Sequence, residues 1–222
     1  VKLDVADSGF GRIGLAGPNA EALLKNALGT APVNPYDSIT SDDVTVVRLP
    51  GPHTRYQLHA PLARRMSLWQ ALSAKATPVG AGSWSWLDIM AGIPGVHPET
   101  SEAFVPQMAN LEIVGGVNFK KGCYPGQEIV ARMQYLGKLK QRMYRARFEG
   151  DALPRPGGSI FAPDFPGQSA GTVVAAQPAP DNGFDLLAVI QISSAENGEL
   201  HLGSETGPKL SLQTLPYSVT PA

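Results

Sequence analysis

The sequence predicts an α+β fold in two parts: mixed helices and strands over 1–136, then a small antiparallel β-barrel over 137–222. Apolar residues recur at helical spacing in the first part. Beyond Gly137, short strand-like runs follow one another with turn formers between them. About six such runs with no helix among them favour a closed barrel, because closure removes unpaired strand edges.

Taken in order, Phe10–Leu15 reads as a strand that runs into Gly17-Pro18. A helix follows, with Pro18 early, Asn19 and Glu21 near its start, apolar Ala22, Leu23, Leu24 and Leu28, and Gly29 as its stop. Val44–Leu49 and Arg55–His59 form a hairpin about Pro50-Gly51-Pro52. Pro61 opens a second helix whose Leu62, Met66, Leu68, Trp69 and Leu72 fall on helical spacing, and a third spans roughly 83–92, halted by Pro94. The stretch 94–106, rich in Pro, Ser and Glu, reads as loop. Strands are expected at 138–148, 159–161, 169–176, 184–192, 199–202 and 209–215. Asp181-Asn182-Gly183 and Glu196-Asn197-Gly198 carry the Asn-Gly hairpin signal.

A formal net charge of -1 and 43% hydrophobic residues describe a soluble globular chain with ample surface to bury. The longest apolar stretches fall short of a membrane span, and no leader of signal-peptide type opens the sequence. A single Cys fits a reducing compartment, so cytoplasm or an organelle matrix is expected. Charge is segregated: from Lys120 to Arg147, eight cations face one carboxylate, Glu128, so this segment carries +7 and the rest of the chain -8. Either an anionic partner such as phosphate, a polycarboxylate tail or RNA lies near it, or the cations solvate a strand edge. Aromatics are not regularly interleaved, which gives sequence-specific RNA reading little support.

The one cysteine, Cys123, lies in Phe119-Lys120-Lys121-Gly122-Cys123-Tyr124-Pro125-Gly126-Gln127-Glu128. Two readings compete. A free Cys is often a small buried hydrophobe. Here, however, Gly122 and Gly126 bracket the sulfur, and the lysine pair disfavours a wholly apolar pocket. The lysines and a helix start after the Pro-Gly turn both favour thiolate, so a functional thiol is the stronger expectation. Histidines 53, 59, 97 and 201 are scattered singly, without metal-ligand spacing, and no His is placed beside Cys123. Gly9-Phe10-Gly11 lacks the dinucleotide and phosphate-loop fingerprints. Trp84 and Trp86, two apart on one helix, point in different directions. Core packing is the ordinary outcome, and a face offered to a planar ring is the alternative.

The runs Phe104-Val105-Pro106-Gln107, Asn110-Leu111, Gly115-Gly116, Phe119 through Glu128 and Val130-Ala131-Arg132 closely resemble the YgfZ family, and Leu215-Pro216-Tyr217-Ser218 is similar to its terminal strand. The likeness extends over essentially the whole chain. It implies a folate-binding relative of the glycine-cleavage aminomethyltransferase (T-protein) that supports assembly or repair of iron–sulfur enzymes, including tRNA-modifying ones. Residues 1–136 would then be the second part of the folate-binding domain, the chain starting at Val1 in mid-fold. The implied cofactor is tetrahydrofolate or a derivative, the implied partners are folate and iron–sulfur client enzymes, and eukaryotic members would act in the mitochondrial matrix.

The family's signature Cys falls on Cys123 and a folate-contacting Trp on Trp84, with the basic segment attracting the folate glutamate tail. The alternative is a tetrahydrofolate-dependent aminomethyltransferase. Against it, Asp88 and Met90 stand where that enzyme carries Arg and Glu, and Pro50–Tyr56 replaces its aromatic hairpin. Methylene transfer needs such polar groups held in place. A non-enzymatic accessory role is therefore expected.

Overall fold

A computed structural model describes Leu3, Val5 and residues 8–219, in two compact units, Val1–Trp84 and Ser85–Ala222. In the first unit, β1 (Phe10–Ala16), β2 (Ser38–Ser41), β3 (Val44–Leu49) and β4 (Arg55–Pro61) form an antiparallel sheet in the order β1-β4-β3-β2. Alternation decides its faces. Ile13, Leu15, Val44, Val46, Tyr56, Leu58 and Ala60 point one way into a core with Leu24 and Leu28 of α1 (Ala20–Leu28) and Leu68 and Leu72 of α2 (Leu62–Ser73). Gly29 ends α1 in the left-handed conformation, its N–H donating to Lys25 O.

The sequence reading has no counterpart for β2. It is joined to β3 by Asp42-Asp43, both at positive φ (48° and 65°), a turn that twists with the strands as Asn-Gly would. Two aspartates carry that signal weakly, because only their tolerance of left-handed backbone marks them.

The division between units falls within α3 (Ala81–Met90), which Ala91-Gly92-Ile93 terminates. Gly92 N–H donates to Ile89 O and Ile93 N–H to Asp88 O, with Gly92 at φ 64°: a Schellman ending, for which glycine is the natural residue. A single 3₁₀ turn, Pro98–Thr100, interrupts the loop that follows. α4 (Gln127–Tyr135) comes after the cysteine segment.

The rest is the barrel: β5 (Gln141–Phe148), β6 (Ser159–Phe161), β7 (Gly171–Pro178), β8 (Phe184–Gln191), β9 (His201–Leu202) and β10 (Leu210–Gln213), in the order β10-β5-β8-β7-β6-β9. A bridge between His201 and Lys209, with Leu202 N–H to Pro208 O and Leu210 N–H to Leu200 O, joins β9 back to β10 and closes the ring. Ile160, Val173, Leu186, Ala188, Ile190, Leu200 and Leu210 fill its interior.

The outward Met143, Val174, Leu187 and Val189 are covered by Ile89, Phe104, Met108 and Leu215. β8 is thus buried on both faces, which is why it reads Phe-Asp-Leu-Leu-Ala-Val-Ile without alternation.

Two expectations about turns part company here. Asn182 and Gly183, at φ 80° and 67°, close the β7–β8 hairpin. Glu196-Asn197-Gly198 instead ends a short helix, α5 (Ile192–Asn197), with Gly198 N–H donating to Ser194 O. The same Asn-Gly pair serves either purpose because both require a left-handed residue, and Ser193-Ser194-Ala195 lets the chain coil before it. The barrel strands are therefore not free of helix. Among the described residues no helix is long and apolar enough to cross a membrane.

Candidate functional site

Cys123 is exposed. It directly precedes a tight turn in which Gln127 N–H donates to Tyr124 O, Pro125 occupies the second position and Gly126 the third at φ 80°, ψ 0°. That is a type II turn, which demands a residue free to take positive φ after its proline. The turn delivers the chain into α4 and leaves the sulfur outside any packed layer. The buried-hydrophobe reading of Cys123 is thereby excluded. Lys121 lies over the Tyr124 ring, its Nζ 4.4 Å from the centroid, so one lysine of the pair is drawn onto the residue beside the thiol.

What anchors this exposed segment is a buried polar cluster. Gln107 Nε2 donates to Val130 O of α4 at 2.7 Å, and Val130 is that helix's buried residue. Arg142 of β5 donates through one guanidinium nitrogen to Gln107 O (3.0 Å) and Asn110 Oδ1 (3.4 Å), and pairs with Glu112. Asn110, at φ 57° and fully buried, donates to Met143 O (2.8 Å) and to Tyr217 OH (3.4 Å). Tyr217 OH in turn donates to Gly92 O at 2.7 Å, and burial pushes its phenol up. The segment 107–112 thus ties α4, the barrel and the end of α3 together. Two buried acceptors, Gln107 Oε1 and Glu112 Oε2, have no hydrogen-bond partner among the described residues.

This cluster narrows both sequence readings of the basic segment, an anionic partner or a solvated strand edge, because not all eight cations are available to either. Arg142 is buried in the cluster. Arg145 donates to Thr214 O (3.1 Å) and to the Met90 sulfur (3.1 Å), and Arg147 pairs with Asp181 at 2.9 Å. Three of the eight cations are therefore committed within the fold. Strand alternation alone could not reveal this, because their partners come from distant loops.

Trp84 belongs to the first unit. Its half-buried ring rests on the outer face of the sheet, over Gly14, where an added Cβ would come within 2.4 Å of the ring. The Arg55 guanidinium lies 5.5 Å from its centroid. Gly14 and Arg55 share this face through their partners Gln57 and Ala16, so a glycine gap and a buried cation together seat the indole. Trp86 belongs to the second unit, where its Nε1–H donates to Asp185 Oδ2 at 2.7 Å on β8.

A cavity of about 560 Å³ opens in the second unit between the α3 face bearing Ser85, Asp88 and Ile89, the Ile93–Glu99 loop and the Leu153–Pro156 loop. His97 and Arg155 are polar members of its lining; Cys123 and Trp84 are not among the lining residues. In the sequence the 94–106 side of this cavity reads only as loop, with no mark of a cavity. Among the described residues no group of three His, Cys, Asp or Glu could hold a metal ion.

No protein-family model matches the chain. Curated relatives do. It is 32% identical over 213 residues to the tRNA-modifying protein YgfZ of Cronobacter sakazakii, covering 95% of this chain and 64% of that protein. It is 31% identical over 218 residues to YgfZ of Edwardsiella ictaluri (96% and 65%), and 31% over 215 residues to that of Sodalis glossinidius (96% and 66%). The chain therefore spans a little under two thirds of the length of these relatives.

Among solved structures it is similar to the glycine cleavage system aminomethyltransferase T from Bartonella henselae, with TM-score 0.71 and 18% identity over 92% of this chain and 59% of that one. The chain has an aminomethyltransferase T-like α+β fold with antiparallel sheets. At that identity the likeness shows the fold alone.

Proposed function

We propose that this chain, which belongs to the YgfZ family, has a YgfZ-type role in tRNA modification, as a folate-binding accessory factor for iron–sulfur enzymes with Cys123 as its working thiol. The observation that carries the reading is the exposed sulfur, presented by a type II turn and backed by a helix that Gln107 holds from beneath. A thiol so presented can, on losing its proton, take the outer sulfur of a partner's persulfide, releasing that partner's thiolate, or ligate a metal ion handed over by a partner, without rearrangement of a core. In this reading 1–136 is the folate-binding part and 137–222 the barrel, and the protein acts in the cytoplasm, or in the mitochondrial matrix of a eukaryote.

Residues of this chain suit a folate. Trp84 offers a partly exposed indole face for a pterin or aminobenzoate ring, held from beneath by the Gly14 gap and the buried Arg55 guanidinium 5.5 Å from its centroid. The bound folate would bring one-carbon chemistry; the residues here bind and orient it. An aminomethyltransferase is less well supported. Of the two positions at which that enzyme carries Arg and Glu, Asp88 lines the second unit's cavity and Met90 offers only a thioether to Arg145.

Tetrahydrofolate at a hundred times its Kd is expected to stabilise the native state by about 2.7 kcal/mol, a rise of roughly 5–10 °C in Tm for a chain of this size. Trp84→Ala should remove most of that shift. A Tm unmoved by saturating tetrahydrofolate would take the coenzyme out of the proposal.

A further inference from the structure

We infer that the face of α4 together with the segments on either side of it is a tRNA-binding surface, built from Lys120, Lys121, Arg132, Lys138 and Lys140 around Tyr135. The inference rests on the proposed role in tRNA modification and adds to it a surface by which the substrate RNA is held.

Once Arg142, Arg145 and Arg147 are set aside as internally committed, these five cations remain. All five are exposed, and none has a carboxylate partner among the described residues. Glu128 is the sole acid between Glu112 and Glu149. Unpaired cations at this density repel one another unless a polyanion neutralises them.

The fold gathers them. Phe119 packs edge-on to Tyr135, ring centroids 6.2 Å apart at 66°, which folds the start of the segment back onto the end of α4. Lys120 and Lys121 are thereby brought toward the helix terminus from which Lys138 and Lys140 emerge. Leu139 between those two is 5% exposed, while Lys138 and Lys140 on either side of it are exposed. Arg132 lies three residues before Tyr135, on the same side of a helix that is about 13 Å long at 1.5 Å per residue. The five charges therefore sit within the reach of a few consecutive phosphates.

The apolar content of the surface separates RNA from a bare phosphate. Tyr135 is 70% exposed, and Ile129 and Leu136, at 61% and 86%, lie on the same helix and its end. An exposed aromatic ring beside an arginine, set among phosphate-neutralising lysines, is the arrangement that takes a nucleobase on its face and the backbone on its rim. An acidic protein is the competing occupant. It would match the charge but leave the stacking face of Tyr135 without a distinctive partner.

The test is binding of purified tRNA to the intact protein, followed by fluorescence anisotropy at several salt concentrations. Five phosphate contacts predict a slope of log K on log[salt] of about -3.5 to -4.5, and a loss of roughly 10²-fold between 50 and 200 mM salt. Arg132→Gln, Lys138→Gln and Lys140→Gln should each lower the slope by about one. Tyr135→Ala should weaken binding at unchanged slope, and Lys75→Gln with Lys209→Gln, exposed cations elsewhere, should change neither. Binding that survives replacement of all five by Gln overturns the assignment. So does competition by poly-glutamate as effective as tRNA at equal charge, which would give the face to an acidic protein. Cys123→Ala should bind tRNA like wild type. If RNA binding fails while Cys123→Ala still abolishes tRNA modification, the surface falls and the thiol role stands; the reverse pattern removes the thiol role and keeps the surface.

Discussion

Arg142→Met is expected to destabilise the protein by about 3–5 kcal/mol, the cost of leaving a buried carboxylate without its partner. Glu112 and Arg142 have side chains 11% and 10% exposed, and the same guanidinium satisfies Gln107 O and Asn110 Oδ1. Removing it orphans three acceptors at once, in a cluster that already contains two unpartnered oxygens. For a chain of this length the loss corresponds to a fall of roughly 6–20 °C in Tm. Urea unfolding at constant slope is the measurement. A double variant that also carries Glu112→Leu should recover part of the loss, since the uncompensated charge is gone. A loss below about 1 kcal/mol would mean the pair behaves like a solvated surface bridge. Because Gln107 links this cluster to Val130, the Arg142→Met protein should also show faster amide exchange in α4 than in the barrel interior.

The second large effect is at the end of α3. Gly92→Ala places a Cβ 2.7 Å from Tyr217 Cε1, 2.8 Å from its hydroxyl and 2.9 Å from Leu215 Cδ2, at a backbone φ of 64°. Left-handed backbone costs an L-residue roughly 1–2 kcal/mol, and overpacking adds about 1–3 kcal/mol. Tyr217 cannot simply retreat, because its OH is bonded to Gly92 O and to Asn110. Gly29→Ala is the matched control. Its φ is 78°, but nothing lies within 4 Å of the added carbon, so it should show the backbone cost alone. Equal Tm losses for the two variants would show that the Tyr217 contact carries no weight.

Much of the architecture could be read in the sequence because it is locally encoded. Gly29 ends its helix, Asn182-Gly183 closes its hairpin, Pro125-Gly126 makes its turn, and six spaced apolar runs make the barrel. Elements without strong local marks were missed: β2, with its Ser-Ile-Thr-Ser sequence and Asp-Asp turn, and α5, whose Asn-Gly was read as a hairpin. The candidate site divides the same way. Cys123 stood out through its flanking lysines and glycines, and its exposure follows from the turn beside it.

The cluster about Arg142 did not stand out. Gln107, Asn110, Glu112, Arg142 and Tyr217 are scattered over more than a hundred residues and look individually like surface polar groups. Only tertiary packing shows that three of the segment's arginines are spoken for, while the other five cations have no carboxylate partner among the described residues. Trp84 is intermediate: the family resemblance alone singles it out, while the Gly14 gap and the Arg55 cation that seat it emerge from strand register.

The proposed role turns on Cys123, and the most direct measurement is the level of modified tRNA nucleosides made by iron–sulfur enzymes in cells lacking their own YgfZ. Wild-type protein and Cys123→Ala would be supplied at matched abundance. Since the side chain is exposed, the substitution should move stability by less than about 0.5 kcal/mol. The expected result is modification restored by wild type and held at the empty-vector level by Cys123→Ala, with the two proteins melting together. Full restoration by Cys123→Ala would contradict the account, leaving the sulfur a bystander on a turn.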